Sequence, residues 1–335
     1  MSDNEYKIAL VGPTRVGKTS LISAILAEAQ TALAGTPASM KAQGSTFARI
    51  SNNVNELAGA LAHGEFRPDA IQGSTSELNI YELALEVGKS KLPIRILDYP
   101  GGWLSDRGPD SEWEKCEEWI NQSSVLILPV DAVVAMQCAT AEEGTACRLR
   151  LRIDQVTQVA REWAKARAVA KAPGTVILVP VKCETYLVAP GASRTTAERL
   201  QRRLLDELYE DMFAALAAEL NDNNLISAYY APVNTIGCVD LVDAGWEMAE
   251  DRVLECHPIF RVLAPGKRKV DGALDVLILL ARALASAENA KERNPIADFW
   301  RYLTGESREL RAALRRLNDM KLSRRAQPIR VREPA

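Results

Sequence analysis

Eight consecutive residues, Gly12-Pro13-Thr14-Arg15-Val16-Gly17-Lys18-Thr19, constrain this chain more than any other feature in it. They fit G-x-x-x-x-G-K-[ST] and stand between an apolar run at 6–11 and an Ala/Leu-rich helical pattern at 20–34. Strand, glycine-containing loop and helix in that order make a phosphate cradle. The glycines let the backbone wrap, its N–H groups turn inward, and the helix start adds a positive dipole end. Gly12, Thr14, Arg15, Val16, Gly17 and Ser20 would then line the anion, Lys18 would bridge the β- and γ-phosphates, and Thr19 would ligate Mg²⁺.

The rest of the chain has the punctuation of an α/β fold. Apolar runs at 94–97, 125–130, 175–181 and 226–233 read as buried strands, separated by helical patterns at 148–170 and 192–220. Alternation of this kind implies a mostly parallel sheet covered on both faces. One antiparallel hairpin is expected, because Leu83, Leu85 and Val87 alternate with polar or small neighbours before the turn Gly88-Lys89-Ser90. Residues 35–73, with a Gly/Pro/Ser stretch and a helix candidate at 47–61, read as an insertion. An edge strand is expected at 259–263 and helices at 274–287 and 295–320, with a loose tail from Gln327. The expected architecture is a three-layer P-loop NTPase domain over 1–265, a C-terminal helical extension over 266–322 and a basic flexible tail over 323–335.

Asp98-Tyr99-Pro100-Gly101 follows the run at 94–97, so its carboxylate stands at a strand's carboxyl end, where open α/β sheets bind ligands. Asp98 would hold Mg²⁺ directly or through water. The D-x-P-G form resembles the switch II element of translation-factor-like GTPases, whose glycine N–H senses the γ-phosphate, and that resemblance gives the role to Gly101. Switch I in such GTPases supplies a threonine just before the second strand; Ser74-Thr75-Ser76 stands at the matching place before the hairpin, so the resemblance makes Thr75 the expected third metal and phosphate contact. Val181-Lys182-Cys183-Glu184 stands where GTPases carry [NT]-K-x-D. Glu184 offers the same paired acceptor to guanine on a longer arm, Lys182 would pack its stem over the ring, and adenine or relaxed selectivity remains the alternative. Asn234, after the next strand, is the expected last base contact. Gly102 stands where a water-orienting glutamine is usual, so slow intrinsic hydrolysis is expected unless Arg15 or a partner's residue compensates. An arginine finger is worth about 10³–10⁵ in rate. Arg15 also reads as a merely solvated side chain.

These motifs, in this order, resemble the TRAFAC class of GTPases. The pair GPTRVGKTSLI and LDYPGGWL is similar to the bacterial YcjX-like and double-GTPase families, with the likeness running over 6–240. The resemblance implies a molecular switch that binds GTP/GDP with Mg²⁺ and acts through a protein effector or neighbouring regulatory partner, often in bacterial stress or conflict systems. Two departures stand out. Gly102 replaces the acidic residue usual in YcjX-like proteins, and the second phosphate loop of a tandem double GTPase is absent. Two rivals remain: a P-loop ATPase or kinase of another class, and a non-hydrolysing scaffold that keeps its nucleotide as structure.

The 335 residues carry a net charge of −3, which gives no general attraction to nucleic acid. Nine basic against three acidic residues from Arg308 onward make a local +6. That segment reads as a solvated helix face, with weak contact to a protein, nucleic acid or anionic membrane as the alternative. Six cysteines lack any C-x-x-C spacing and read as reduced thiols. His63 and His257 have no ligand partners at useful spacing, and Trp103 and Trp113 flank the segment after Asp98. Residues 1–5 lack a signal-peptide layout, and the apolar runs at 125–136 and 274–285 are interrupted by Pro129 and Asp131 and by Asp275 and Arg282. A cytoplasmic protein is expected.

Overall fold

Strands covered on both faces need side chains that are apolar whichever way they point, and the centre of the main sheet is made of such strands. The structure is a computed structural model describing residues 6–68, 78–106, 109–219, 226–249, 254–264, 268–289 and 308–330. Thr75 and its neighbours lie outside the described residues.

In chain order the first half comprises β1 (Tyr6–Leu10), α1 (Lys18–Ala32), β2 (Ala38–Ala42), α2 (Gly44–Ala60), β3 (Glu65–Phe66), β4 (Asn79–Val87), β5 (Ser90–Asp98), α3 (Trp103–Asp106), α4 (Asp110–Gln122), β6 (Val125–Asp131), α5 (Ala132–Met136), α6 (Ala141–Leu151) and α7 (Ile153–Val169). The second half adds β7 (Gly174–Val181), α8 (Glu184–Leu187), α9 (Arg194–Arg202), a π-helical turn at Arg203–Leu208, α10 (Glu210–Ala218), β8 (Ile226–Tyr230), β9 (Val239–Met248), β10 (Leu254–Val262), α11 (Ala273–Asn289), α12 (Arg308–Asp319) and β11 (Gln327–Ile329).

The eight-stranded sheet runs β11-β8-β7-β6-β1-β5-β4-β2. Its middle is parallel, β1 pairing β5 on one side and β6 on the other, with β7 and β8 continuing from β6. Each face has its own core. Trp163, Phe213 and Tyr209 belong to one, and Leu21, Ile25, Leu277 and Leu314 to the other. This is the expected α/β architecture of a P-loop NTPase, with helices on both sides of a mostly parallel sheet.

The hairpin of β4 and β5 turns at Gly88, whose φ of 59° is left-handed. Antiparallel pairing extends beyond it: β2, from the expected insertion, pairs β4, and β11 pairs β8. The helical pattern at 148–170 begins earlier, in α6, and breaks at Arg152 (φ 54°). The expected edge strand at 259–263 is instead the end of β10, the middle strand of a separate sheet, β3-β10-β9. Its partner β9 alternates weakly and is half-exposed, so it carries little apolar signal.

The loose tail expected from Gln327 is corrected too. Gln327, Pro328 and Ile329 pair with Tyr230, Tyr229 and Ala228. Asp275 holds the approach by accepting from the Ser323 N–H at 2.7 Å and hydroxyl at 2.6 Å, and Arg325 pairs with Asp271 at 2.5 Å. Partners far away in sequence tie this polar segment down. No helix among the described residues is long and apolar enough to cross a membrane.

Candidate functional site

Residues 11–18 leave the sheet at its centre. The Val11 N–H donates to the Ile127 carbonyl at 2.9 Å, keeping the chain beside β6 until the loop departs. Arg15 (φ 61°) and Gly17 (φ 107°) both adopt left-handed backbone, which turns the loop over the start of α1. Gly17 is the residue before the helix and offers no side-chain cap, and the first turn contains no acidic residue. The positive end of the helix therefore has neither a side-chain cap nor a first-turn carboxylate to offset it.

Lys18 is buried above this loop. Its ammonium donates to the Gly12 carbonyl at 3.2 Å and the Pro13 carbonyl at 3.3 Å, and lies 3.6 Å from Asp98 Oδ1. Burial pushes its pKa down, and the Asp98 charge pulls it back up. Asp98 terminates β5 in register with Leu10, so the parallel pairing of β1 and β5 brings it to the loop. Thr19 Oγ1 stands 3.1 Å from the Tyr81 hydroxyl on β4. A hydroxyl and a carboxylate are hard oxygen donors suited to Mg²⁺, which normally completes its shell with phosphate oxygens and water.

Gly101 presses on the same loop. A Cβ there would stand 2.0 Å from the Thr14 nitrogen and 2.3 Å from the Pro13 carbonyl carbon, so only glycine fits this backbone approach. Gly102 is the opposite case, with nothing within 4 Å of an added Cβ. Tyr99 is buried and meets Trp113 edge-on, ring centres 6.0 Å apart, which docks α4 beside this turn.

The loop opens into a cavity of about 310 Å³. Thr14, Arg15, Val16, Gly17, Lys18 and Thr19 line it together with Val181, Lys182, Glu184, Thr235 and Ile236. Leu57, Phe66, Val239 and Phe260 give it an apolar wall, in which the Phe66 and Phe260 rings lie 6.0 Å apart. That wall comes largely from the second sheet. Arg49, Asn52, Asn53 and Glu56 reach the cavity from α2.

Lys182 has left-handed backbone (φ 54°) and braces the loop, donating to the Arg15 carbonyl at 3.1 Å and pairing with Asp131 at 2.5 Å. Asp131 caps α5, its Oδ1 accepting from Val133 and Val134 N–H at 3.0 and 3.1 Å. Sequence reasoning missed Asp131, although a carboxylate ending a buried strand was a usable signal. It also missed Tyr81 and the α2 residues.

Glu184 is fully buried. Its Oε1 accepts from the N–H groups of Ile236 at 3.0 Å and Gly237 at 3.3 Å, so the paired acceptor expected for a base is already partly engaged. Burial pushes its pKa up; these amides and the Lys182 charge oppose the rise. Asn234 does not reach the cavity. Its backbone exchanges hydrogen bonds with Asp271, and its Oδ1 accepts from the Cys183 thiol at 3.1 Å. Its neighbours Thr235 and Ile236 line the cavity, while Asn234 pairs with Asp271 away from it.

No protein-family model matches the chain, and no curated protein matches it. Among solved structures it is similar to a Roco2 RocCORdC structure from Methanosarcina barkeri bound to GDP, at 14% identity and a TM-score of 0.26. The similarity covers 69% of this chain and 44% of that one. A likeness of this degree bears on neither ligand nor residue roles.

Proposed function

We propose that the protein is a GTP-binding molecular switch that hydrolyses its nucleotide slowly and acts through a protein partner, in the manner of the TRAFAC GTPases its motifs resemble. The observation that carries this reading is the meeting of buried Lys18 and Asp98 with Thr19 and the loop 14–18 in one cavity, which Glu184 and the apolar Leu57, Phe66, Val239 and Phe260 also line. A triphosphate matches the Lys18 loop by charge, and a planar purine matches the apolar wall.

In this reading the amides and Lys18 hold the phosphates, and Thr19, Asp98 and Thr75 hold Mg²⁺, which would neutralise phosphate charge when bound. Gly101 reports the γ-phosphate. Cleavage removes the group that orders the segments around Thr75 and Gly101, which shifts the population toward a released form. The bare Gly102 accounts for slow turnover. A YcjX-like role in bacterial stress or conflict systems, and a cytoplasmic location, belong to the same proposal.

A second reading, a purine nucleotide bound with relaxed base selectivity, is favoured by the engagement of Glu184 Oε1 with two backbone amides. Identification of nucleotide released on denaturation, followed by titration of GTP and ATP with and without Mg²⁺, tests both readings. The first predicts tighter GTP binding, lost in Lys18→Ala. Equal affinity for ATP removes the guanine assignment, and binding unaffected by Lys18→Ala removes the site.

A further inference from the structure

The insertion helix α2 reaches the cavity that Lys18 and Thr19 line. Thr46, Arg49, Asn53 and Leu57 recur at helical spacing, so they share one face. Both ends of that face are pinned. Thr46 Oγ1 accepts from the Glu82 N–H at 2.8 Å, next to Tyr81 on β4. One turn beyond Arg49, Asn53 Oδ1 accepts from Ser20 at 3.5 Å and Ser23 at 3.4 Å in the first turns of α1. Arg49 therefore lies between the neighbour of Tyr81 and the neighbour of Thr19, and Tyr81 and Thr19 are themselves hydrogen-bonded at 3.1 Å. It is half-buried and lines the cavity with Lys18 and Thr19. Its charge opposes the burial that pushes the Tyr81 pKa up, which agrees with a guanidinium close to that hydroxyl.

Resting on the GTPase reading, the geometry points to Arg49 as a catalytic arginine supplied within the chain, donating to the γ-phosphate oxygens of the bound triphosphate. In the reaction a water oxygen forms a bond to the γ-phosphorus as the bond from that phosphorus to the β–γ bridging oxygen breaks. The bridging oxygen leaves with the electron pair on the diphosphate, and the water's proton ends on inorganic phosphate or solvent. Negative charge grows on the γ-phosphate oxygens, and a planar guanidinium fork would stabilise it better than a point charge does. Arg15 is the less suited candidate. Its side chain is exposed, and its backbone carbonyl is engaged by Lys182.

The test compares wild type, Arg49→Ala and Arg49→Lys with GDP and the non-hydrolysable analogue GppNHp, in Mg²⁺, together with single-turnover GTP hydrolysis. Arg49→Ala should weaken GppNHp by about tenfold or more, as loss of a charge-assisted hydrogen bond implies, while GDP changes by less than about twofold. Hydrolysis should fall by about 10³-fold or more, and Arg49→Lys should recover part of the affinity but little of the rate. Arg49→Gln replaces the alanine variant if that one melts early. Equal weakening of both nucleotides, or an unchanged ratio of their affinities, overturns the assignment. Wild type binding neither nucleotide overturns the GTPase reading itself.

Discussion

Gly101 and Thr14 meet backbone to backbone: a Cβ on Gly101 would fall 2.0 Å from the Thr14 nitrogen. Backbone atoms cannot swing aside as a flexible side chain can. Gly101→Ala should therefore push the turn off the loop and lower stability by about 1–3 kcal/mol. Affinity for GppNHp should fall more than affinity for GDP. Thermal melting and paired titrations check this; a variant that melts and binds like wild type would show that the approach is unimportant.

Gly102, one residue on, has open space around it and no left-handed φ. Gly102→Gln should fold with little change in melting temperature and place an amide beside the expected attacking water. Single-turnover hydrolysis should rise by about tenfold or more if water orientation limits the rate. An unchanged rate would locate the limitation elsewhere.

Glu184 gives a pH signature. Its folded pKa is raised above the ordinary carboxylate value of 4.5, chiefly by burial. Between the two values the folded state binds more protons than the unfolded one, so this group's contribution to stability falls as pH rises through that window. Guanine recognition runs the other way, since the ionised carboxylate is the better acceptor, and GTP affinity should climb over the same window. Glu184→Gln keeps an oxygen for the Ile236 and Gly237 amides, should flatten both trends, and should weaken GTP about tenfold relative to ATP. Melting and titration series across pH measure each slope.

Asp131 is joined to Lys182 and to the first turn of α5, and both side chains are largely shielded from water. Asp131→Ala removes a helix cap and leaves a partly buried ammonium without its carboxylate, a loss of about 3 kcal/mol. Because Lys182 also braces the Arg15 carbonyl, nucleotide affinity should fall in the same variant. Denaturant unfolding and GDP titration check the two effects separately.

The loop at Lys18 was legible because its residues are local in sequence. Loop amides, Lys18 and Thr19 are contiguous, and Asp98 and Gly101 follow a strand that reads clearly from its apolar run. The parallel centre of the sheet was legible for the same reason: buried strands such as 125–130 and 175–181 must be apolar throughout. Sequence by itself therefore determined the fold class and the loop that bends over the start of α1. Tertiary structure alone decided what closes the cavity. Arg49 and Asn53 are ordinary polar residues until Thr46 and Asn53 pin α2 across α1 and β4, and Phe66 meets Phe260 only when β3 and β10 pair across nearly two hundred residues. Pairing with Asp271 turned Asn234 away, and amides from residues 236 and 237 engaged Glu184. Contacts of this kind join distant segments whose half-exposed, mixed-polarity patterns carry no period to read, so their partners emerge only when the chain is folded.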